Sequence, residues 1–369
     1  MRILVDGLPR NVGGIGTLLV NIVDYNLTAG NKDKYIFEFL LPKESEYKAL
    51  LSEKNITFYE IPRISNIKYR HIINKIFNNR KYDFLWINNT SKVNLMLPKI
   101  AKKNGAKIIS HSHGISCEET GLKKLMFTII EKTVEWEYDN LVDVPFACSE
   151  DSADYFYHGE LRRKCKVLHN GIWVNKFQYN PDYRKEIRMK YKIKDRDILI
   201  GSIGRITKVK NYPFLIQLLG QLPKNYKLII IGDGEDYELI KDLIIQQKLN
   251  ERVYMLGVKK DVERYLSAMD IFLMPSLNEG LPFALVEAQA SGLKCIVSKG
   301  ISKEANIVGN VDFINVNSIK EWVQKIEGIK YSNNRKDAIK SIIANGYSIE
   351  LSYQEIVEIM EKILYESKD

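Results

Sequence analysis

The chain has 369 residues, enough for two domains of ordinary size. Apolar residues make up 45% and charged residues 27%, a globular balance, and no run approaches the ~18 apolar residues of a membrane span. A net charge of +9 without a recognisable nucleic-acid module argues against nucleic acid as a partner.

The first segment, MRILVDGLPR, begins directly on a strand pattern, so no signal peptide is expected. Strand-like runs follow at 2–7, 35–41, 56–61, 82–87, 106–112, 144–149 and 166–170, with helical patterns between them, as at 17–29 and 121–140. The second half repeats the alternation. Its strands are expected at 197–204, 227–234, 252–257, 270–276 and 294–298. Its helices are expected at 212–220, 235–248, 261–268, 281–291, 319–327 and 335–345. Apolar strands alternating with helices imply parallel sheets covered on both faces. The fold class is therefore α/β, with two doubly wound, Rossmann-like domains facing a cleft. The expected division is 1–175 and 176–348, with the change falling in HNGIWVNKF (169–177). An amphipathic last helix, within 349–369, is expected to return to the first domain. Cys117, Cys148, Cys165 and Cys295 lack metal spacing and read as reduced thiols of a cytoplasmic protein.

Residues 277–292, LNEGLPFALVEAQASG, carry the densest chemical pattern. An apolar strand ends, a loop holds Glu279, and a helix opens after Gly280, Leu281, Pro282 and Phe283, with Glu287 on its first turns. Free backbone N–H groups and the positive end of the dipole make a helix start an anion site. Carboxylates beside it accept protons from sugar or ribose hydroxyls. By themselves, Glu279 also fits dipole compensation and Glu287 a solvated helix face.

Arg205 follows the strand at 197–204, and Lys210-Asn211 follow in turn. A guanidinium and an ammonium five residues apart can both reach a diphosphate. They would neutralise a leaving nucleotide, so no metal or other cofactor is expected. Each alone also fits a surface cation. Gly232-Asp233-Gly234 reads first as a structural turn. Gly13-Gly14-Ile15-Gly16 opens a helix after the first strand and suits a phosphate or a close-lying sugar, but it is neither GxGxxG nor a P-loop. His111 and His113 end the strand at 106–112. Either could meet a sugar hydroxyl. No third ligand for a metal is evident beside them. Residues 61–82 hold Arg63, Lys68, Arg70, Lys75, Arg80 and Lys81, no acid, and interleaved isoleucines. Two readings stand for this segment: an anionic membrane surface as partner, or a solvated basic helix with a core-facing apolar stripe.

With these residues in place, the chain resembles a retaining GT-B glycosyltransferase of family four. The matching pieces are HNGI (169–172), GSIGRITKVKN (201–211), IGDG (231–234), YMLG (254–257), DIFLMPS (270–276) and NEGLPFALVEAQASG (278–292), and their order is more specific than any one alone. The resemblance implies that Arg205 and Lys210 bind the diphosphate, Glu279 the donor sugar and Glu287 the ribose hydroxyls. It also places Gly14 near the donor phosphate, Gly280 to Phe283 at sugar and phosphate, and His113, ahead of Gly114, at the donor sugar, with His111 as the competing alignment. Gly16, Asn211 and Gly234 are carried along as donor-side residues, and Val258 as a candidate near the base. Trp173 departs from the Asp usual after HNGI. The stretch 300–314 is similar to the capsular and exopolysaccharide branch. That branch implies a UDP-sugar donor, a lipid-linked saccharide acceptor, and a cytoplasmic protein peripheral to the inner face of the cell membrane. Two other readings are a sugar-nucleotide epimerase of similar architecture and a non-catalytic, transferase-like partner subunit.

Overall fold

The computed structural model describes residues 1–11, 13–89, 91–113, 121–331, 335 and 337–366, so Gly114 and Cys117 lie outside the described residues. The chain divides into two compact units, Met1–Gly171 together with the last helix, and Ile172–Ser348.

The first unit holds β1 (Arg2–Asp6), β2 (Ile36–Pro42), β3 (Phe58–Ile61), β4 (Phe84–Asn89), β5 (Lys107–Ser112), β6 (Val144–Ala147) and β7 (Lys166–Val167). Their order in the sheet is β3-β2-β1-β4-β5-β6-β7, and every pairing is parallel. Helices run antiparallel to the strands as crossovers, so both sheet faces are covered. This explains why Ile3, Leu4, Phe39, Leu85, Trp86 and Ile108 are all buried although they point alternately up and down. The helix Ile349–Glu366 packs on the helix Gly14–Thr28 of this unit. Tyr353 donates to Asn26 Oδ1 at 2.7 Å, and Tyr35 donates to Glu361 Oε1 at 2.6 Å.

The helix Lys68–Asn79 separates the two readings of the basic segment. Tyr69, Ile73, Ile76 and Phe77 recur at helical spacing and are buried with β4 and the helix Met96–Lys103. The interleaved apolar residues therefore belong to the core, and those side chains are not available to a membrane. Ile64 and Ile67 stay exposed, Ile67 at 94%. Arg63, Lys68, Arg70 and Lys75 are exposed around them.

The second unit holds β8 (Ile198–Ile203), β9 (Tyr226–Ile231), β10 (Val253–Met255), β11 (Ile271–Met274), β12 (Lys294–Ser298) and β13 (Val311–Ile314), in the order β10-β9-β8-β11-β12-β13 and again all parallel. The runs ILIGSI, YKLIII and IFLM are rich in β-branched residues, suiting strands buried on both faces. Two apolar layers sandwich the sheet, one around Phe272, Leu285 and Cys295, the other around Ile230, Leu215 and Trp322. β13 has no counterpart among the strands expected from sequence. Its four residues, VDFI, alternate too briefly to announce themselves. Among the described residues, no helix is long and apolar enough to cross a membrane.

Candidate functional site

In an open parallel sheet, the crevice for ligands opens where strand order reverses, because neighbouring crossovers there leave to opposite faces. In the second unit that reversal lies between β8 and β11. The loop after β8 carries Arg205 and Lys210, and the loop after β11 carries Glu279. The residues singled out by type thus stand on the two strands that topology selects.

Lys210 closes the short 3-10 turn Lys208–Lys210. Asn211 follows in the left-handed conformation, at φ 54°, and starts the helix Tyr212–Gln221. Asparagine tolerates that region better than most residues. Its side-chain amide donates to the Pro275 carbonyl at 3.4 Å, and Leu277 N–H donates to the Val209 carbonyl at 2.7 Å. These two bonds tie the β8 loop to the β11 loop. Lys210 Nζ then lies 2.5 Å from Glu279 Oε1, with both side chains under one-fifth exposed. That oxygen receives no bond of hydrogen-bond geometry, so the contact is an ion pair that leaves directional acceptor capacity. Arg205 is looser. Its Nη2 meets Glu235 Oε2 at 3.3 Å with both groups about half exposed or more, a pair contributing under ~1 kcal/mol. Its guanidinium is free to swing.

Glu279 is also held from the other side. Its N–H donates to the Gly300 carbonyl at 2.9 Å, and its carbonyl accepts from Ser302 N–H at 3.0 Å, making a parallel bridge to Ile301. Sequence reasoning missed this loop as a support. Backbone pairing twenty residues away leaves no local signature in 300–314. Gln289 was missed too. Fully buried, its amide donates to the Leu285 and Ala305 carbonyls and accepts from the N–H groups of Ile307 and Val308. It thereby fixes the helix Phe283–Ala290 against the loop that follows Glu279's support.

That helix begins with Pro282 as its cap, whose carbonyl accepts from Leu285 and Val286. The first-turn amides of Phe283 and Ala284 precede those donors and point out of the helix end. Leu281 is buried, Gly280 and Phe283 are half-buried. Glu287 lies on the same helix. Its carboxyl is pushed up to about 7, first by loss of surrounding water, then eased by Lys176 and opposed by Glu263. Lys176 Nζ pairs with Glu263 Oε2 at 3.4 Å, so its charge is shared between two carboxylates.

The glycines sort by what lies above them. A Cβ on Gly232 would fall 1.9 Å from the Gly204 carbonyl oxygen, and one on Gly234 2.3 Å from that of Ile206. Both let the ends of β8 and β9 close beneath Arg205, so Gly234 serves the turn. Gly16 is buried, and a Cβ there would meet the Tyr47 hydroxyl at 1.9 Å. The space over the Gly16 Cα belongs to Tyr47. Gly14, at the helix start, is exposed. Val258 is exposed on the loop after β10, the edge strand.

His113 and His111 are two apart on a strand, so they share a face, with ring centroids 4.0 Å apart. They do not share an environment. His111 is wholly buried, stacked on Trp86 at 6.0 Å, and among the described residues both its ring nitrogens lack a hydrogen-bond partner. Burial, with His113 beside it, lowers its basicity far below the usual range. His113 is half-buried just past the end of β5, and its Nε2 bonds Asn88 Oδ1 at 2.9 Å. Burial holds its pKa down at about 3, so it is neutral in use. Of the two, His113 reaches the sheet's carboxyl edge. Among the described residues, no group of three His, Cys, Asp or Glu side chains could hold a metal ion.

Residues 183–347 match the family described as Glycosyl transferases group 1. A Bacillus subtilis protein bearing the name glycosyltransferase EpsF is 27% identical over 357 residues, covering 91% of this chain and 90% of that one. The Escherichia coli UDP-Gal:alpha-D-GlcNAc-diphosphoundecaprenol alpha-1,3-galactosyltransferase is 26% identical over 309 residues, covering 78% of each. The crystal structure of Anabaena HepE in complex with UDP superposes with a TM-score of 0.76 at 18% identity, over 98% of this chain and 100% of that one. The fold is GT-B. The chain is a glycosyltransferase whose second unit matches the group 1 glycosyl transferases, and the name of the E. coli relative gives that protein a diphosphoundecaprenol-linked acceptor.

Proposed function

We propose that the chain moves a sugar from a nucleotide-diphosphate donor, UDP-linked, onto a lipid-linked saccharide with retention of anomeric configuration, in capsular or exopolysaccharide synthesis. The observation that carries this reading is the Lys210–Glu279 pair at the switch point of the second sheet, with Arg205 beside it. A cation for phosphate and a carboxylate for sugar hydroxyls, locked together by the 209–277 backbone bond, match the two ends of a sugar diphosphate.

In this reading Glu279 accepts hydroxyl protons of the transferred sugar and Glu287 those of the ribose. Arg205 and Lys210 meet the diphosphate, and the helix start at Phe283 adds backbone donors. An ammonium has three protons, so Lys210 can keep Glu279 while donating to a phosphate oxygen. The bond from the sugar's anomeric carbon to the leaving phosphate oxygen breaks, and a bond to the acceptor oxygen forms on the same face. The acceptor proton passes to the leaving phosphate oxygen. Charge developing there is met by the two cations, so the reaction as proposed needs no metal. The E. coli relative's name, with its UDP-Gal donor and diphosphoundecaprenol acceptor, supports donor and acceptor class together.

The proposal extends to an anionic membrane surface, which would bring a lipid-linked acceptor within reach. Arg63, Lys68, Arg70 and Lys75 form no ion pair among the described residues, and Ile64 and Ile67 stand exposed among them. The contact is electrostatic, through the exposed face of the helix Lys68–Asn79, with two isoleucines as the apolar component.

The test is transfer from a panel of nucleotide sugars to prenyl-diphosphate-linked N-acetylglucosamine, with the product linkage read by NMR. An α-linked product from an α-linked donor is expected. A β-linked product would overturn retention, and no transfer from any donor would overturn the reaction.

A further inference from the structure

The first sheet has a switch point of its own, between β1 and β4. β1 ends in Asp6 and β4 ends in Asn88 and Asn89. These two strand ends are pressed together. Gly7 has a φ of +100°, and a Cβ there would lie 1.9 Å from the Asn88 carbonyl oxygen. Any other residue at position 7 would push the end of β1 away from β4. Asn88 then works in two directions. Its Nδ2 donates to the Asp6 carbonyl at 3.2 Å, which turns its Oδ1 toward His113 Nε2 at 2.9 Å. His113 therefore keeps its proton on Nε2 and presents Nδ1 as an acceptor. One asparagine couples the ends of three adjacent strands, and among the described residues the carboxylate at those ends is that of Asp6.

Asp6 is half-buried and forms no ion pair among the described residues. The Gly7 N–H bonds it, yet withdrawal from water still raises its carboxyl to about 6. Its charge reaches the hydroxyls of Tyr69 and Tyr138. Tyr69 accepts from Asn94, and Tyr138 accepts from Asn89 and bonds Ser110. Lys92, beyond the end of β4, is taken by Glu135 at 2.8 Å and Asp139 at 2.9 Å. A carboxylate in such a setting repels phosphate and has lone pairs to spare for neutral donors. Hydroxyls and amides around it offer the mixed donors and acceptors that a sugar ring requires.

We propose that Asp6 binds hydroxyl groups of the acceptor saccharide and is a specificity-determining residue of the first unit. This rests on the transferase reading above. The phosphate-binding cations stand in the second unit, so the two sheets divide the labour: charge for the donor in one, hydroxyl recognition in the other. His113 and Asp6, joined through Asn88, would fix the acceptor's orientation relative to β1, β4 and β5.

The experiment compares the full chain with Asp6→Ala and Asp6→Asn. Steady-state transfer is measured against prenyl-diphosphate-linked N-acetylglucosamine at saturating donor. Donor hydrolysis without acceptor and UDP binding are measured alongside. The acceptor KM should rise tenfold or more in Asp6→Ala and less in Asp6→Asn, which keeps one acceptor oxygen and the side chain's shape. UDP affinity and donor hydrolysis should stay within twofold of the parent, which also shows that the variants are folded. An unchanged acceptor KM in both variants overturns the inference alone, because the parent then still transfers. A fall in donor hydrolysis matching the fall in transfer places Asp6 on the donor and overturns it too. A parent that transfers nothing to this acceptor overturns the transferase reading and the inference together.

Discussion

Replacing Glu287 with glutamine should stabilise the protein at alkaline pH while weakening its hold on a nucleotide. The carboxyl rises from 4.5 to about 7, chiefly because protein atoms replace water around it, with Lys176 easing and Glu263 adding to the rise. The folded state thus holds this proton more tightly than the unfolded chain. The favourable contribution is full below about pH 4.5 and is lost as pH rises through about 7. Above that, folding must accommodate a carboxylate in a dry site. The gap between about 7 and 4.5 converts to about 3 kcal/mol at ~1.36 kcal/mol per pH unit. Part of the side chain remains exposed, so this is an upper bound. Glutamine keeps the shape without the charge. Its advantage should be under about 1 kcal/mol at pH 5 and grow to about 2–3 kcal/mol at pH 8. For a unit of this size that is several degrees in melting temperature, at roughly 2–4 °C per kcal/mol. Thermal unfolding of parent and variant across pH 5–8 measures it. An advantage that does not grow with pH would refute the reasoning, because the strained carboxylate would then not exist. A nucleotide should reverse the order, since ribose hydroxyls donate better to a carboxylate than to an amide.

Four further outcomes are expected. Lys210→Ala and Glu279→Ala should each lower turnover at least tenfold with an unchanged far-UV CD spectrum, in line with the ~3–4 kcal/mol lost when one charge-stabilising contact is removed; near-normal turnover in either would remove that role. Arg205→Ala should shift the melting temperature little, because the Glu235 pair is exposed, yet weaken UDP binding several-fold by calorimetry. His111→Phe should preserve activity and add up to about 1 kcal/mol of stability, since it removes two buried nitrogens without partners, while His113→Phe should cut turnover; the opposite pattern would exchange the two histidines. Charge reversal at Lys68, Arg70 and Lys75 should abolish sedimentation with phosphatidylglycerol vesicles at 50 mM salt and leave UDP binding alone; sedimentation that survives the reversal would put the membrane contact elsewhere.

The α/β architecture was legible because strands buried on both faces are written as unbroken apolar runs. KLIII and IFLMP needed no partner to be recognised, and the observed β9 and β11 lie within a few residues of the expected limits. The site was half legible. Arg205, Lys210 and Glu279 announce themselves by type and by following strands. The meeting of Lys210 with Glu279 depends on bonds between Val209 and Leu277 and between Glu279 and the 300–302 loop, which no local pattern encodes. The isoleucines of 61–82 showed helical spacing, but which face they presented was decided only by the packing of Ile73 and Phe77 under the sheet. His111 and His113 are the same residue type on the same face. Only the position of the strand end separates a core imidazole from a rim imidazole. The sequence does not show that Tyr47, thirty-one residues later, packs over Gly16.

In the function proposed above, the switch point of the second sheet holds a nucleoside diphosphate through Arg205 and Lys210. Isothermal titration of UDP into the parent chain and into the Arg205→Ala/Lys210→Ala double variant tests it most directly. Saturable binding of one UDP per parent chain is expected, with at least a hundredfold loss in the folded double variant. Equal affinity in the two proteins would contradict it.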